Sequence, residues 1–411
     1  MDIIIRNAKL RDKDELVDIG IVDGKIKTIG KNISAQGKEE IDASGKLTIP
    51  AFIDPHIHLD KTLIADVVRE NVSGTLKEAI EIIWEKKRKY TNEDIVERAS
   101  KIIKMGLSNG TTRMRTHVDV DTIGGLKPLE GVLATKEKFK DYIDIEIVAF
   151  PQEGIIKDEG CKELMEEAMK MGANLVGGMP ANENNPSDSF EHVKFCFDLA
   201  EKYDADVDMH VDETDDPFYR TLEMVADETI KRDYQGKVTA GHTCALASYD
   251  NHYARYVIEK VKRAEMNIIT NPVTNLMLQG KYDGYPKRRG LTRVKELIAE
   301  GVNVAYGQDC IKDTFYPFGK ADMLEVGLIL AHASHMSLPN EIEEVFNMPL
   351  EKSAKILRLN DYGIEEGKRA DLVILDADNP IDALRLQATR LYVIKEGSVV
   401  ASTLKETKFF I

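Results

Sequence analysis

The chain has 411 residues and a formal charge of −15 at pH 7, from 56 Lys and Arg against 71 Asp and Glu. Its 43% hydrophobic and 31% charged residues are those of an ordinary globular protein, which excludes a disordered or fibrous chain. The acidic balance and the lack of a basic stripe speak against a nucleic-acid partner, whose phosphates call for clustered Lys and Arg.

The opening MDIIIRNAKLRDKDE has no basic stretch followed by an apolar core, so no secretory leader is expected. No run approaches the roughly 18–20 apolar residues that span a membrane, so no membrane partner is expected. Cys161, Cys196, Cys244 and Cys310 form no CxxC pair. Neither a disulfide framework nor a zinc knuckle is expected, and a reducing, cytoplasmic setting is the simplest reading.

In chain order, IIIRNAKL, DIGIVDGKIKTIG, EEIDASG and KLTIP alternate apolar runs with turn dipeptides and read as strands. IEEGKRADLVILDAD and RLYVIKEGSVVAST near the other end look alike. Residues 1–50 and 360–411 are therefore expected to build one small β-sandwich domain, with 51–359 inserted between them. That middle segment alternates apolar β runs with amphipathic helical stretches, the pattern of βαβ units and a parallel sheet. Eight strands are predicted: LTIPAFIDPHIH ending near His58, TTRMRTHVDV (111–120), IDIEIVAFPQ (143–152), ANLVGGMP (173–180), DADVDMHVDE (204–213), KVTAGHTC (237–244), MNIITNPV (266–273) and VNVAYGQDC (302–310). The fold class is thus α/β, and eight βα units match a (β/α)8 barrel. An open doubly wound sheet is the rival, but no GxGxxG or GxxxxGK[ST] follows the first strand. The basic run EKKRKY (85–90) lies in an amphipathic pattern and reads as a solvated helix face.

Most of these strands stay apolar until the C-terminal end, where a chemically capable side chain appears: His56 and His58, His117, Gln152, His210 with Glu213, His242, Asn271 and Asp309. In a barrel those ends converge on the face that holds the active site. His56 and His58 share one strand face, because strand side chains have period two. With His210 and Asp309 they form a ligand set for one divalent ion, Zn²⁺ or Fe²⁺. The fourth strand, ANLVGGMP, carries no Lys to bridge a second ion. Glu213 is placed to act as general acid/base, His242 to orient the attacking water, and Asp309 to accept its proton. His117 reads equally as a structural or a supporting group. His192, His252, His332 and His335 read as surface or packing residues. The acids of DETDD (212–216), Glu213 apart, read as loop solvation.

PHIHLDKT, RTHVDVD, IVAFPQEG, HVDET, TAGHT, LQGKYDGYPKRRGLTRVKE, YGQDCIKDTFYPFG and DYGIEEGKRADLVIL together resemble, in order and over essentially the whole chain, an amidohydrolase of the bacterial cytosine deaminase type. The resemblance implies a distorted (β/α)8 TIM barrel with the flanking domain made from both termini. It implies a small-molecule nucleobase substrate, a homo-oligomer and one Zn or Fe(II) ion on His56, His58, His210 and Asp309. It implies that Gln152 reads the amide edge of the base as both donor and acceptor, that Glu213 and His242 handle protons, and that Leu76 forms a pocket wall. Two departures stand out. Asp309 is followed by Cys310 where such enzymes commonly have a second Asp, and Phe315 stands where Trp is frequent. Cys310 is either a neutral filler or a small apolar contact that admits a 5-substituent, which would make 5-methylcytosine a substrate beside cytosine. Triazine relatives that remove an amine from N-isopropylammelide, and isoguanine or creatinine deaminases, are the alternatives; a non-catalytic binding protein with a decayed site is disfavoured by the intact ligand and acid/base set.

Overall fold

The computed structural model describes residues 1–410, the side chain of Leu76 excepted. Five strands come first: β1 (Ile3–Ala8), β2 (Val17–Val22), β3 (Lys25–Gly30), β4 (Glu39–Asp42) and β5 (Leu47–Pro50). All eight runs predicted for the middle then appear, as β6 (Phe52–Ile57), β7 (Thr111–Asp119), β8 (Asp144–Phe150), β9 (Leu175–Gly178), β10 (Asp206–Val211), β11 (Val238–His242), β12 (Asn267–Thr270) and β13 (Asn303–Tyr306). They pair in parallel and in chain order, with helices in the crossovers. Covered on both faces, they are buried almost throughout, as continuous apolar parallel strands must be.

The sheet returns on itself at one narrow seam. Ile57 bridges Asp309 in parallel register. The Asp309 N–H donates to the His56 carbonyl at 2.8 Å, and the His58 N–H to the Asp309 carbonyl at 3.2 Å. The result is a nearly closed (β/α)8 barrel. Gly307 makes the approach possible: a Cβ there would lie 2.6 Å from both the Cβ and the carbonyl oxygen of His56.

Three strands complete the chain: β14 (Leu372–Leu375), β15 (Arg390–Lys395) and β16 (Ser398–Ser402). One four-stranded sheet runs β3-β2-β1-β4; the other runs β16-β15-β14-β5 and so joins both ends of the chain. β14 shows how the two layers share it. Leu372 and Ile374 pack with Ile3, Ile5 and Ile19 in a small separate core, whereas Val373 and Leu375 belong to the barrel's core. Alternation along one strand thus glues the sheet domain to the barrel. KLTIP and the first barrel strand are separated by Ala51 alone. No helix among the described residues is long and apolar enough to cross a membrane.

The solvated-face reading of EKKRKY holds for Glu85, Arg88 and Lys89 but fails at Lys87 and Tyr90. Helix α1 (Leu76–Lys87) ends on a buried lysine. Lys87 Nζ lies 2.6 Å from Asp119 Oδ2, 2.6 Å from Asp121 Oδ2 and 3.3 Å from Glu153 Oε1. Tyr90 is buried as well, Lys86 is half-buried, and Glu85, Arg88 and Lys89 are exposed. Local amphipathicity could not reveal that three carboxylates, from the end of β7, the segment just after it and the loop after β8, would face this turn. Replacing Lys87 by Met strands those carboxylates and is expected to cost about 3–5 kcal/mol of stability by scanning calorimetry. A loss below about 0.5 kcal/mol, usual for a surface site, would restore the solvated-face reading.

Candidate active site

The seam that closes the barrel also carries most of the ligand set. His56 and His58 leave β6, His210 lies near the end of β10, and Asp309 follows β13 by three residues. Their ligand atoms all lie within 4.8 Å of one another. Asp309 Oδ1 is 3.6 Å from His56 Nε2 and 3.3 Å from His58 Nε2, and the Nε2 atoms of His58 and His210 are 3.2 Å apart. His58 Nδ1 donates to the His117 carbonyl at 3.0 Å, which leaves its Nε2 lone pair turned to the centre. Both ring nitrogens of His56, His210 Nδ1 and Asp309 Oδ2 are buried without partners. Burial holds His58 at about 4 and His210 well below the ordinary histidine range, so both are neutral. Burial alone would raise Asp309, but contacts with His56 and His58 outweigh it and keep the carboxyl ionised. Neutral imidazoles and one carboxylate, crowded and under-satisfied, fit a divalent ion such as Zn²⁺ or Fe²⁺.

Beside this set stand the two groups expected to move protons. His242 Nδ1 is 3.3 Å from Glu213 Oε1. The side-chain amides of Asn271 and Asn275 approach the His242 ring nitrogens at 3.1 and 2.9 Å. Burial pushes His242 down to about 3, so it is a neutral base. For Glu213, burial and then the negative charge of Asp309 both raise the pKa well above the ordinary value, which favours the protonated carboxyl. His242 and Asp309 both occupy the left-handed backbone region, with φ of 68° and 62°. For non-glycine residues that conformation is costly, and it recurs at functional sites.

A cavity of about 100 Å³ opens against these groups. Gln152, Glu213, Cys310 and Phe315 line it together with Phe150 and Met179. The expectation for Leu76 concerns a side chain outside the described residues. A larger depression of about 860 Å³, lined by Lys9, Arg11, Glu343 and Tyr362, holds none of the grouped ligands and sits away from the chemistry.

The remaining histidines divide. His117 Nε2 reaches Asp208 at 3.3 Å, and Asp208 also accepts from Arg115 at 2.9 Å. His117 therefore supports His58 from behind. His252, His332 and His335 are exposed. His192 is buried, donating from Nδ1 to Glu183 at 2.7 Å and accepting at Nε2 from the Met179 N–H. Asp212 corrects the loop-solvation reading of DETDD. It is buried and accepts from the N–H groups of Thr221 and Leu222, both at 2.9 Å, which caps the helix Thr221–Lys231.

Two residues escaped the sequence reading. Glu183 accepts from the N–H groups of Ile155, Ile156 and Lys157 and so pins the loop that carries Gln152. Burial opposes its ionisation, yet His192 and those N–H groups hold it at about 2. Lys61 lines the cavity almost wholly buried, donating to Asp119 Oδ1 at 2.9 Å and to Gln152 Oε1. A lysine three residues past HIH, at a strand mouth otherwise free of cations, was the available signal.

A family model described as "Amidohydrolase family" matches residues 39–405. The N-isopropylammelide isopropyl amidohydrolase of Pseudomonas sp. (strain ADP) is 34% identical over 406 residues, 97% of either chain. The pterin deaminase of Rhizobium rhizogenes is 30% identical over 394 residues, 95% of this chain and 89% of that one. The crystal structure of 5-methylcytosine deaminase from Klebsiella pneumoniae, liganded with 5-fluorocytosine, matches with a TM-score of 0.94 at 41% identity over 99% of both chains.

Elemental analysis of the purified chain is expected to find about one divalent ion per chain, reduced in His58→Ala and Asp309→Ala. Two tightly bound ions would contradict a centre whose fourth strand, β9, reads LVGG and offers no bridging lysine.

Proposed function

The chain belongs to the amidohydrolase family, and on that premise we propose that it hydrolytically deaminates free cytosine-type bases, 5-methylcytosine and cytosine, with release of ammonia. The observation that carries this reading is the placement of Gln152, Glu213 and Cys310 on one small cavity wall beside the His/Asp centre. The likeness to the Klebsiella enzyme supports it.

A divalent ion on His56, His58, His210 and Asp309 would lower the pKa of a water to about 7 and supply a nucleophile at neutral pH. The protein's own groups do the rest. Gln152 holds the amide edge of the ring. Glu213, whose surroundings favour the protonated form, gives its proton to the ring nitrogen next to C4 and makes that carbon electrophilic. Asp309 Oδ2, which has no other partner, takes the proton of the attacking water. His242 stabilises the charge that develops on the water oxygen. Protons then pass to the exocyclic amine, the C–N bond breaks and ammonia leaves. Each positioned proton transfer contributes about 10²–10⁴-fold.

Cys310 supports the 5-methyl part of the reading. It is buried, and burial holds its thiol well above the ordinary range, so it meets the ring as a neutral, compact group. An Asp there would set a charge against a methyl. One observation favours a second reading, removal of an amine from a triazine: the 34% identity to the Pseudomonas amidohydrolase.

Ammonia release from cytosine, 5-methylcytosine and N-isopropylammelide separates the two, and faster turnover of the triazine would select the second. Glu213→Gln is expected to lower kcat by about 10²–10⁴-fold; near-full turnover would remove Glu213 from the chemistry. Cys310→Asp should cost about 10–200-fold in kcat/KM for 5-methylcytosine, the worth of one methyl in a pocket, while sparing cytosine. Equal losses on both bases would remove the assigned role of Cys310.

A further inference from the structure

We propose that Lys61 sets the hydrogen-bonding polarity of the pocket: it holds Gln152 with its oxygen turned toward the lysine and adds a cationic N–H of its own, so that the site selects rings bearing an exocyclic oxygen on the edge that meets this pair. The proposal rests on the reading that this cavity receives a six-membered base, and it names the class of base.

The chemistry of the contact fixes the orientation of the amide. An ammonium group only donates, so the Gln152 atom beside Lys61 Nζ is the carbonyl oxygen. Gln152 Nε2 makes no hydrogen bond among the described residues, on a side chain that lines the cavity. Lys61 has three N–H groups, of which Asp119 and Gln152 take two. Its side chain lines the same wall. The family resemblance implied that Gln152 offers the base both a donor and an acceptor; on this proposal its donor side faces the ligand. The wall is donor-rich.

Lys61 is anchored in that role. Asp119, fully buried, receives Lys61 on Oδ1 at 2.9 Å and Lys87 on Oδ2 at 2.6 Å. The Lys61 ammonium also sits 5.2 Å from the centre of the Phe150 ring. To swing away, it would abandon a buried carboxylate. A ring oxygen, neutral or carrying the charge of a deprotonated imide, satisfies two donors at once. A 2-amino group in the same place would set donor against donor and leave the wall unpaired. Lys61 is thus a specificity-determining residue for 2-oxo rings and a positioning residue for Gln152.

The test uses the metal-loaded full chain and two rings without an amine to release, pyrimidin-2-one and pyrimidine, titrated calorimetrically. The wild type is expected to bind pyrimidin-2-one about tenfold or more tightly, the worth of a hydrogen bond to a charged donor. Lys61→Met should bring the two rings within about threefold, and Lys61→Gln, which keeps a neutral donor, should fall between. Thermal unfolding and metal content identify which variants are folded and loaded. A folded, loaded variant that keeps the wild-type ratio overturns the proposal, as does a wild type that binds both rings alike or binds neither. If the wild type separates the rings but frees no ammonia from cytosine or 5-methylcytosine, the deaminase reading falls and the role of Lys61 stands.

Discussion

Two backbone hydrogen bonds, Asp309 N–H to the His56 carbonyl and His58 N–H to the Asp309 carbonyl, are the constraint on which the rest of this structure depends. They close the barrel, and they belong to three of the four residues of the ligand set. Closing the sheet and assembling the centre are therefore one event. The seam is supported from below by Asp54, whose Oδ1 accepts from the N–H groups of both His56 and Gln308 at 3.2 Å. Desolvation lifts Asp54 to about 7, so this brace sits near the point where it changes charge. At the top, Asp309 turns through the left-handed region to aim its carboxylate inward. Close packing at Gly307 leaves no room for a looser seam.

Around the seam the buried polar groups form two arrays with different tasks. One is centred on the metal ligands: neutral imidazoles, an ionised Asp309 and, behind them, His117, Asp208 and Arg115 in hydrogen-bonded succession. The other is ionic: Lys87, Asp119 and Lys61, with Asp121 and Glu153 at its end. Buried charges are tolerated only when each finds its partners. Both lysines here have carboxylate partners, and that is what lets a cation stand beside a small, largely apolar cavity. The first array is equipped for chemistry; the second decides what the cavity wall offers to a ligand.

The strand ends were legible because a barrel translates sequence position directly into space. A polar side chain at the end of an apolar parallel strand has one destination, the catalytic face. HIH, His210, Glu213, His242 and Asp309 were readable on that rule. Lys87 was not, since its partners come from the end of β7, the segment just after it and the loop after β8, and no local periodicity encodes them. Glu183 stands in the polar run ANENNPSD, and only the folded chain reveals the three N–H groups that it gathers. Asp212 was read together with its acidic neighbours as loop solvation, although helix capping gave it a buried task. For Gln152 the residue type was readable but its polarity was not, because a single contact with Lys61 decides it.

Ala51, the one residue between β5 and β6, has a consequence of its own. Its N–H donates to the Asp371 carbonyl at 2.9 Å, and its carbonyl accepts from the Tyr362 hydroxyl at 2.9 Å. The flanking domain thus grips the chain five residues before His56. Because a strand reverses its faces with every residue, one insertion or deletion in this stretch would turn both histidines outward. The β domain therefore works as a depth gauge for the first barrel strand, and the two domains are bound to inherit length changes together here, whatever freedom their loops enjoy elsewhere.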